Sequence, residues 1–426
     1  MNKKLLALAL TPIFALSTPT FSADAPAPIP AKPADAKEPK PKVEICFVLD
    51  TTGSMEGLIE GAKAKIWSIA NTIVKRKPTP EVRFALVAYR DRGDDYVTKR
   101  FDLTDDIDAV FKNLQSFKAA GGGDTPESVN QALDEAVTKV TWSPDKSVLK
   151  IIFLVGDAPP HMDYKDDRKY PEICKDAVKK DLIINTIQCG ELAGTADVWK
   201  QISKSSEGEY AAIAQTGNVT VVEAPQDAEL AKLNAALGKT LVACATNGRT
   251  WDDAKKEVSA KQAAAEAAPA AVQADRLAYN RESGRSVQVA GAGTYSGEST
   301  LTSGSTTLAV RGTKVSVTDG ATFEAGGEIE LIDGITNGTL KLADLKDEQL
   351  SPEMRKMTPK EREAYVTAKQ KERADIQAKI TELAKARDAY LAEETKKRAA
   401  ASADKTDSFD DNVAKTIAKQ AEAKRK

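Results

Sequence analysis

The chain has 426 residues, with 61 Lys and Arg against 63 Asp and Glu and a formal net charge of −2. That balance gives no electrostatic case for nucleic acid, which needs a basic face to meet phosphate. A single histidine, His161, excludes a two-histidine zinc site and leaves one candidate for imidazole acid–base chemistry.

Residues 1–23 have the layout of a cleaved secretory signal. Lys3 and Lys4 precede the apolar run Leu5 to Leu16, and Phe21-Ser22-Ala23 supplies small residues before Asp24. A periplasmic or secreted protein is the expectation. No later run approaches the roughly 18 apolar residues of a membrane span. Residues 24–42, rich in Pro, Ala and Lys, read as a semi-extended linker. Export permits disulfides, and the four cysteines allow three pairings. Cys174–Cys189 is the favoured pair, because a helix followed by a strand returns to the same end of a sheet. Cys46 reads equally as a small buried hydrophobe.

From 43 to 245 strands alternate with helices. VEICFVL is an apolar strand, and Leu58, Ala62, Ile66, Ile69 and Ile73 form the stripe of an amphipathic helix. VRFALVAYRD is a second strand and YVTKRFDLT a third, at an edge. Helices are expected over 105–117 and 125–137. LKIIFLV has the continuous hydrophobicity of a strand covered on both faces. A helix near 170–180, the strand LIINTIQ, a helix around Val198, the strand YAAIA and a helix bearing Leu230, Leu233, Leu237 and Leu241 complete the unit. The expected fold class is α/β, a mostly parallel, doubly wound open sheet of Rossmann type. Such sheets place their chemistry outside the carboxyl ends of the strands.

The remainder reads as a largely helical extension. Residues 249–350 hold an Ala-rich helical stretch broken at Pro269, then a Gly/Ser/Thr-rich part suited to a small β element. Thr358-Pro359-Lys360-Glu361 is a capping box that opens a long charged helix within 351–404. Its sparse stripe of Ile376, Ile380, Leu383 and Tyr390 suits a neighbouring helix or a weak coiled coil. Residues 405–426 are expected to be a mobile tail.

Three segments fall at strand ends or in the loops beside them: Asp50-Thr51-Thr52-Gly53-Ser54, Gly121-Gly122-Gly123-Asp124-Thr125-Pro126 and Gly156-Asp157-Ala158-Pro159-Pro160-His161. Together they resemble the von Willebrand factor type A domain and its metal-ion-dependent adhesion site. The D-x-S-x-S signature becomes Asp50, Thr52 and Ser54, with Thr for the first Ser, and the loop threonine and the later aspartate match Thr125 and Asp157. AYRDRGDDYV and LSPEMRKMTPKEREAYV are also similar to bacterial secreted members. The resemblance covers about the first half of the mature chain. It implies a binding module in which a metal, with Asp50 and Asp157 acting mainly through waters, captures a Glu or Asp carboxylate of a partner protein. Oxygen-only ligands in a tight turn suit Mg²⁺, with Mn²⁺ or Ca²⁺ as alternatives.

Other readings stand beside this one. Ser54 suits a helix N-cap, the three glycines a plain connector, and His161 a place behind the ligands or on the surface. Arg92-Gly93-Asp94 spells an adhesion tripeptide but reads as a chance loop. A Mg²⁺-dependent phosphatase would need an acid where Thr52 stands. A scaffold acting through its C-terminal helices is the other rival. Nothing in the sequence near the site is arranged to move a proton, so no catalytic residue is assigned.

Overall fold

The computed structural model describes residues 40–246, 248–284, 329–401 and 408–424, together with the backbone of short strands between 299 and 323. The proposed signal and most of the linker lie outside the described residues. Six strands form one sheet in the order β3-β2-β1-β4-β5-β6. They are β1 (Lys42–Asp50), β2 (Glu81–Tyr89), β3 (Thr98–Thr104), β4 (Leu149–Gly156), β5 (Leu182–Cys189) and β6 (Tyr210–Ile213). All neighbours pair in parallel except β3, which runs antiparallel to β2 at the edge. The strand order reverses between β1 and β4, where an open sheet leaves a crevice at its carboxyl end.

The period of two along each strand sorts the core into two layers. Val43, Ile45, Phe47 and Leu49 of β1 enter one cluster and Cys46 and Val48 the other. The first face is covered by α1 (Glu56–Val74) and α2 (Ile107–Gln115), the second by α3 (Val129–Thr138), α4 (Tyr170–Lys179) and α5 (Thr195–Ser205). Trp67 stacks on Phe111 at 4.0 Å in the first layer, and Trp199 is buried in the second. This layering corrects the expected disulfide. Cys174 on α4 belongs to one layer and Cys189 at the end of β5 to the other, so the sheet separates them and both are free and buried.

Among the described residues beyond the sheet, the helices Ala270–Ser283 and Phe409–Lys424 pack onto the first face. α6 (Asp227–Gly238), α7 (Trp251–Glu266) and α8 (Ala270–Ser283) follow the sheet, with Pro269 at the break between the last two. β7 (Ser299–Ser303) and β8 (Thr306–Val310) form the expected small hairpin. After α9 (Leu331–Thr336) and α10 (Pro352–Arg355), the long helix α11 runs over Pro359–Ala401. The capping box at its start is formed, with Thr358 N–H donating to Glu361 Oε2 at 2.7 Å. Ile380 packs with Leu230 and Leu277, so part of its stripe is covered by α6 and α8.

The expected mobile tail is also corrected. Residues 409–424 form α12 (Phe409–Lys424), whose Phe409, Val413 and Ile417 are buried in the first layer beside Phe47. An i, i+4, i+8 apolar stripe inside a polar segment is enough to dock a short helix. Buried ion pairs tie the C-terminal helices to α2 and to one another. Arg276 of α8 makes a bidentate pair with Asp108 of α2 at 2.7 and 2.8 Å, Lys261 of α7 meets Asp106, and Arg387 of α11 meets Asp227 and Asp275 at 2.5 and 2.8 Å. Among the described residues no helix is long and apolar enough to cross a membrane.

Candidate metal centre

Asp50 ends β1 and Asp157 follows β4, so parallel pairing of these strands sets the two carboxylates side by side at the crevice. Asp50 is fully buried. Its Oδ1 accepts from the Thr52 N–H at 2.9 Å and from the Thr52 hydroxyl at 2.6 Å. Ser54 Oγ lies 3.3 Å from Thr52 Oγ1. Ser54 is not the N-cap of α1. A 3-10 turn over Gly53–Met55 intervenes and Met55 takes the cap position without a side-chain bond, so the serine hydroxyl stays beside Thr52.

Asp157 Oδ2 accepts from Gln215 Nε2 at 2.7 Å, and the same amide nitrogen reaches the Ser54 carbonyl at 3.1 Å. Buried Arg90 braces the site from behind, donating to the Thr51 and Lys118 carbonyls, while Thr51 bonds the Tyr89 carbonyl. Gly156 keeps the crevice narrow: a Cβ there would lie 2.3 Å from the Tyr89 hydroxyl and 3.0 Å from Asp50 Oδ2.

The glycine loop is built, not slack. Gly121 and Gly122 both sit at φ +78, a left-handed conformation that glycine adopts without a steric penalty. The Gly122 N–H donates to Asp94 Oδ2, and a Cβ on Gly121 would lie 2.2 Å from the Asp94 carboxylate. The Arg-Gly-Asp tripeptide is engaged internally, because Arg92 pairs with Asp166 and Asp167 while Asp94 holds this loop. Thr125, the loop threonine expected among the ligands, is exposed. The same loop presents Glu127, whose Oε1 lies close to Gly122 beside Thr52.

The electrostatics call for a cation. Burial pushes the Asp50 carboxyl up to about 7 despite the bonds from Thr52. Burial, then the carboxylates of Asp50, Asp91, Asp157 and Asp94, pushes Glu127 up to about 9. Among the described residues, Asp50 Oδ2 and Glu127 Oε2 are buried without a hydrogen-bond partner. Orphaned carboxylate oxygens in a cluster of like charge are the mark of a site that a hard, oxygen-seeking cation would complete. The donor set therefore fits a hard divalent cation.

Sequence reasoning missed Glu127, Gln215 and Arg90. The only signal for Glu127 was its place two residues after Thr125, and nothing local marked the other two. It also placed His161 behind the ligands or on the surface. The ring is buried, stacked on Tyr164 at 4.0 Å, with Nε2 3.3 Å from Asp91 Oδ2.

The family model of the von Willebrand factor A domain matches residues 44–225. The von Willebrand factor A domain-containing protein 7 of Rattus norvegicus is 35% identical over 123 residues, covering 28% of this chain and 12% of the relative. The alpha-protein kinase vwkA of Dictyostelium discoideum is 25% identical over 122 residues, 28% of this chain and 19% of the kinase. The match thus spans less than a fifth of the length of either relative. Among solved structures, the VWA domain of SpRpn10 aligns at 16% identity and TM-score 0.33, covering 42% of this chain and 90% of that one. Proximal thread matrix protein 1 of the mussel byssus, solved with a zinc-occupied MIDAS motif, aligns at 17% identity and TM-score 0.33, covering 41% of this chain and 42% of that one. Residues 44–225 of this chain are a von Willebrand factor A domain.

Proposed function

We propose that this domain is a metal-dependent protein-binding module of an exported protein, in which Mg²⁺ at the crevice captures a Glu or Asp carboxylate of a partner. The observation that carries the reading is the pair of buried, unpartnered oxygens, Asp50 Oδ2 and Glu127 Oε2, beside the Thr52 and Ser54 hydroxyls. Asp50, Thr52, Ser54, Thr125 and Asp157 would hold the ion, with Glu127 as an added acid. Mg²⁺ supplies a strongly charged, oxygen-seeking centre, and neutral hydroxyl ligands leave much of that charge for the partner's carboxylate. Mn²⁺ or Ca²⁺ would use the same oxygens. The amino-terminal signal supports export to the periplasm or medium.

The test is affinity capture from a cell-envelope extract with Mg²⁺ or with EDTA, comparing the full chain with Thr125→Ala. Partner capture lost in EDTA and in the variant supports the reading, and capture indifferent to both refutes it.

The phosphatase reading gains a proton carrier in Glu127, which the sequence did not reveal. It is weakened because Asp50, the nucleophile it needs, is fully buried with Oδ1 engaged by Thr52. Mg²⁺-dependent hydrolysis of p-nitrophenyl phosphate, lost in Glu127→Gln, would restore it. The scaffold reading is carried by no observation at the crevice.

A further inference from the structure

Beyond the Asp50 cluster, the loop after β4 and the loop after β2 bring a second set of metal-binding groups together. Asp91, Asp124 and His161 each direct one ligand atom to within 4.8 Å of the others. Three features separate this set from an ordinary acidic surface.

First, His161 is buried, and among the described residues its Nε2 has no hydrogen-bond partner. Asp91 Oδ2, at 3.3 Å, lies off the line along which an Nε2–H would donate. Second, the other ring nitrogen is held. Nδ1 lies 2.8 Å from Asp163 Oδ1, so an Nδ1–H donated to that carboxylate leaves the Nε2 lone pair aimed into the set. A carboxylate behind the imidazole is the usual arrangement of a metal-ligating histidine. Third, Asp91 is oriented in advance. Its Oδ1 accepts from Ser128 at 2.7 Å and its Oδ2 from Tyr164 at 2.8 Å, and Tyr164 stacks on the His161 ring beneath the Arg92 guanidinium. The 3.3 Å between Nε2 and Oδ2 matches the ligand–ligand edge of a tetrahedral zinc site, about 3.4 Å for bonds of about 2.1 Å.

We propose that Asp91, Asp124 and His161 form a second cation site, separate from the Asp50 cluster, that takes a transition dication of the zinc class through one imidazole nitrogen and two carboxylates. An imidazole ligand disfavours Mg²⁺ and Ca²⁺, which choose oxygen, and favours zinc among the common dications. Asp124 is exposed and closes the site from the glycine loop, while buried Asp91 and His161 form its floor. The backbone joins this site to the first: the His161 N–H donates to the Glu127 carbonyl at 3.0 Å, and the Glu127 N–H to the Pro159 carbonyl at 3.0 Å. Zinc here would brace the loop that carries Glu127 and Thr125.

Because the chain contains one histidine, its imidazole nitrogen resonances report on this site alone. The experiment uses the full chain without an affinity tag, stripped with chelator and then titrated with Zn²⁺, in the Asp50→Asn background to silence the first site. One equivalent of zinc is expected to bind and to move the Nε2 resonance into the ligated range. Asp124→Asn, a change at an exposed position that leaves the fold intact, is expected to weaken zinc by more than about tenfold. Asp163→Asn, which loosens only the ring's orientation, is expected to weaken it by about tenfold to a hundredfold. A histidine signal unmoved at saturating Zn²⁺, or zinc bound equally well by Asp124→Asn, overturns the proposal. Neither result bears on Mg²⁺ at the first site.

Discussion

The substitution Asp50→Asn should stabilise the metal-free protein while destroying its Mg²⁺ site. The Asn oxygen can still accept from the Thr52 N–H and hydroxyl, which engage Asp50 at 2.9 and 2.6 Å, and the buried charge disappears. A carboxyl raised from 3.8 to about 7 binds its proton more tightly folded than unfolded. Its penalty is therefore absent below pH 3.8, grows as the pH rises to 7 and is constant above. At 1.36 kcal/mol per pH unit the full penalty is about 4 kcal/mol, and local relaxation lowers it to about 2–4 kcal/mol. At pH 5 only about 1.5 kcal/mol of it remains. Urea unfolding in EDTA at pH 8 and pH 5 measures both values. Mg²⁺ at a thousand times its Kd should reverse the order, since it adds about 4.1 kcal/mol to wild type and nothing to the variant. An Asp50→Asn protein less stable than wild type in EDTA at pH 8, or a wild type indifferent to Mg²⁺, would refute the reasoning.

Gly121→Ala places a Cβ at φ +78 against the Asp94 carboxylate. It should cost about 1–3 kcal/mol and weaken Mg²⁺ binding, read by calorimetry, through displacement of the loop that presents Glu127. Arg276→Leu leaves Asp108 buried without its bidentate partner and should lower urea stability by about 3–5 kcal/mol. Phe409→Ala should cost about 3–5 kcal/mol, because the ring is 2 % exposed in the first core layer and a mobile tail would lose nothing. Thiol alkylation and peptide mapping of the denatured, unreduced protein should find both Cys174 and Cys189 modified, and a Cys174–Cys189 crosslink would contradict their assignment to opposite layers.

The interlocked C-terminal helices alter how the domain can be tested. Truncation at Arg249 would remove Val272, Tyr279, Phe409, Val413 and Ile417 from the first core layer and leave Asp106 and Asp108 buried without Lys261 and Arg276. Loss of binding after such a deletion would report unfolding, so single substitutions at the crevice are the cleaner probes.

The strands, the helices of the first half and the hydroxyl-rich turn after β1 were legible from local pattern alone. Apolar runs of seven or eight residues, stripes of period 3.6 and a capping box are properties of neighbours along the chain. Asp50, Thr52 and Ser54 were legible for the same reason, being one turn of backbone, and Asp157 because a strand end announces itself. What lay beyond local pattern depended on which face a residue meets. Tertiary packing alone placed Cys174 and Cys189 on opposite sides of the sheet, docked α12 beside α1 and buried Glu127 near Thr52. The same packing set His161 over Asp91. The docking of α12 and the His161–Asp91 pairing join residues dozens to hundreds of positions apart, and the energy that decides such outcomes comes from burial and charge pairing that exist only once the chain has closed on itself.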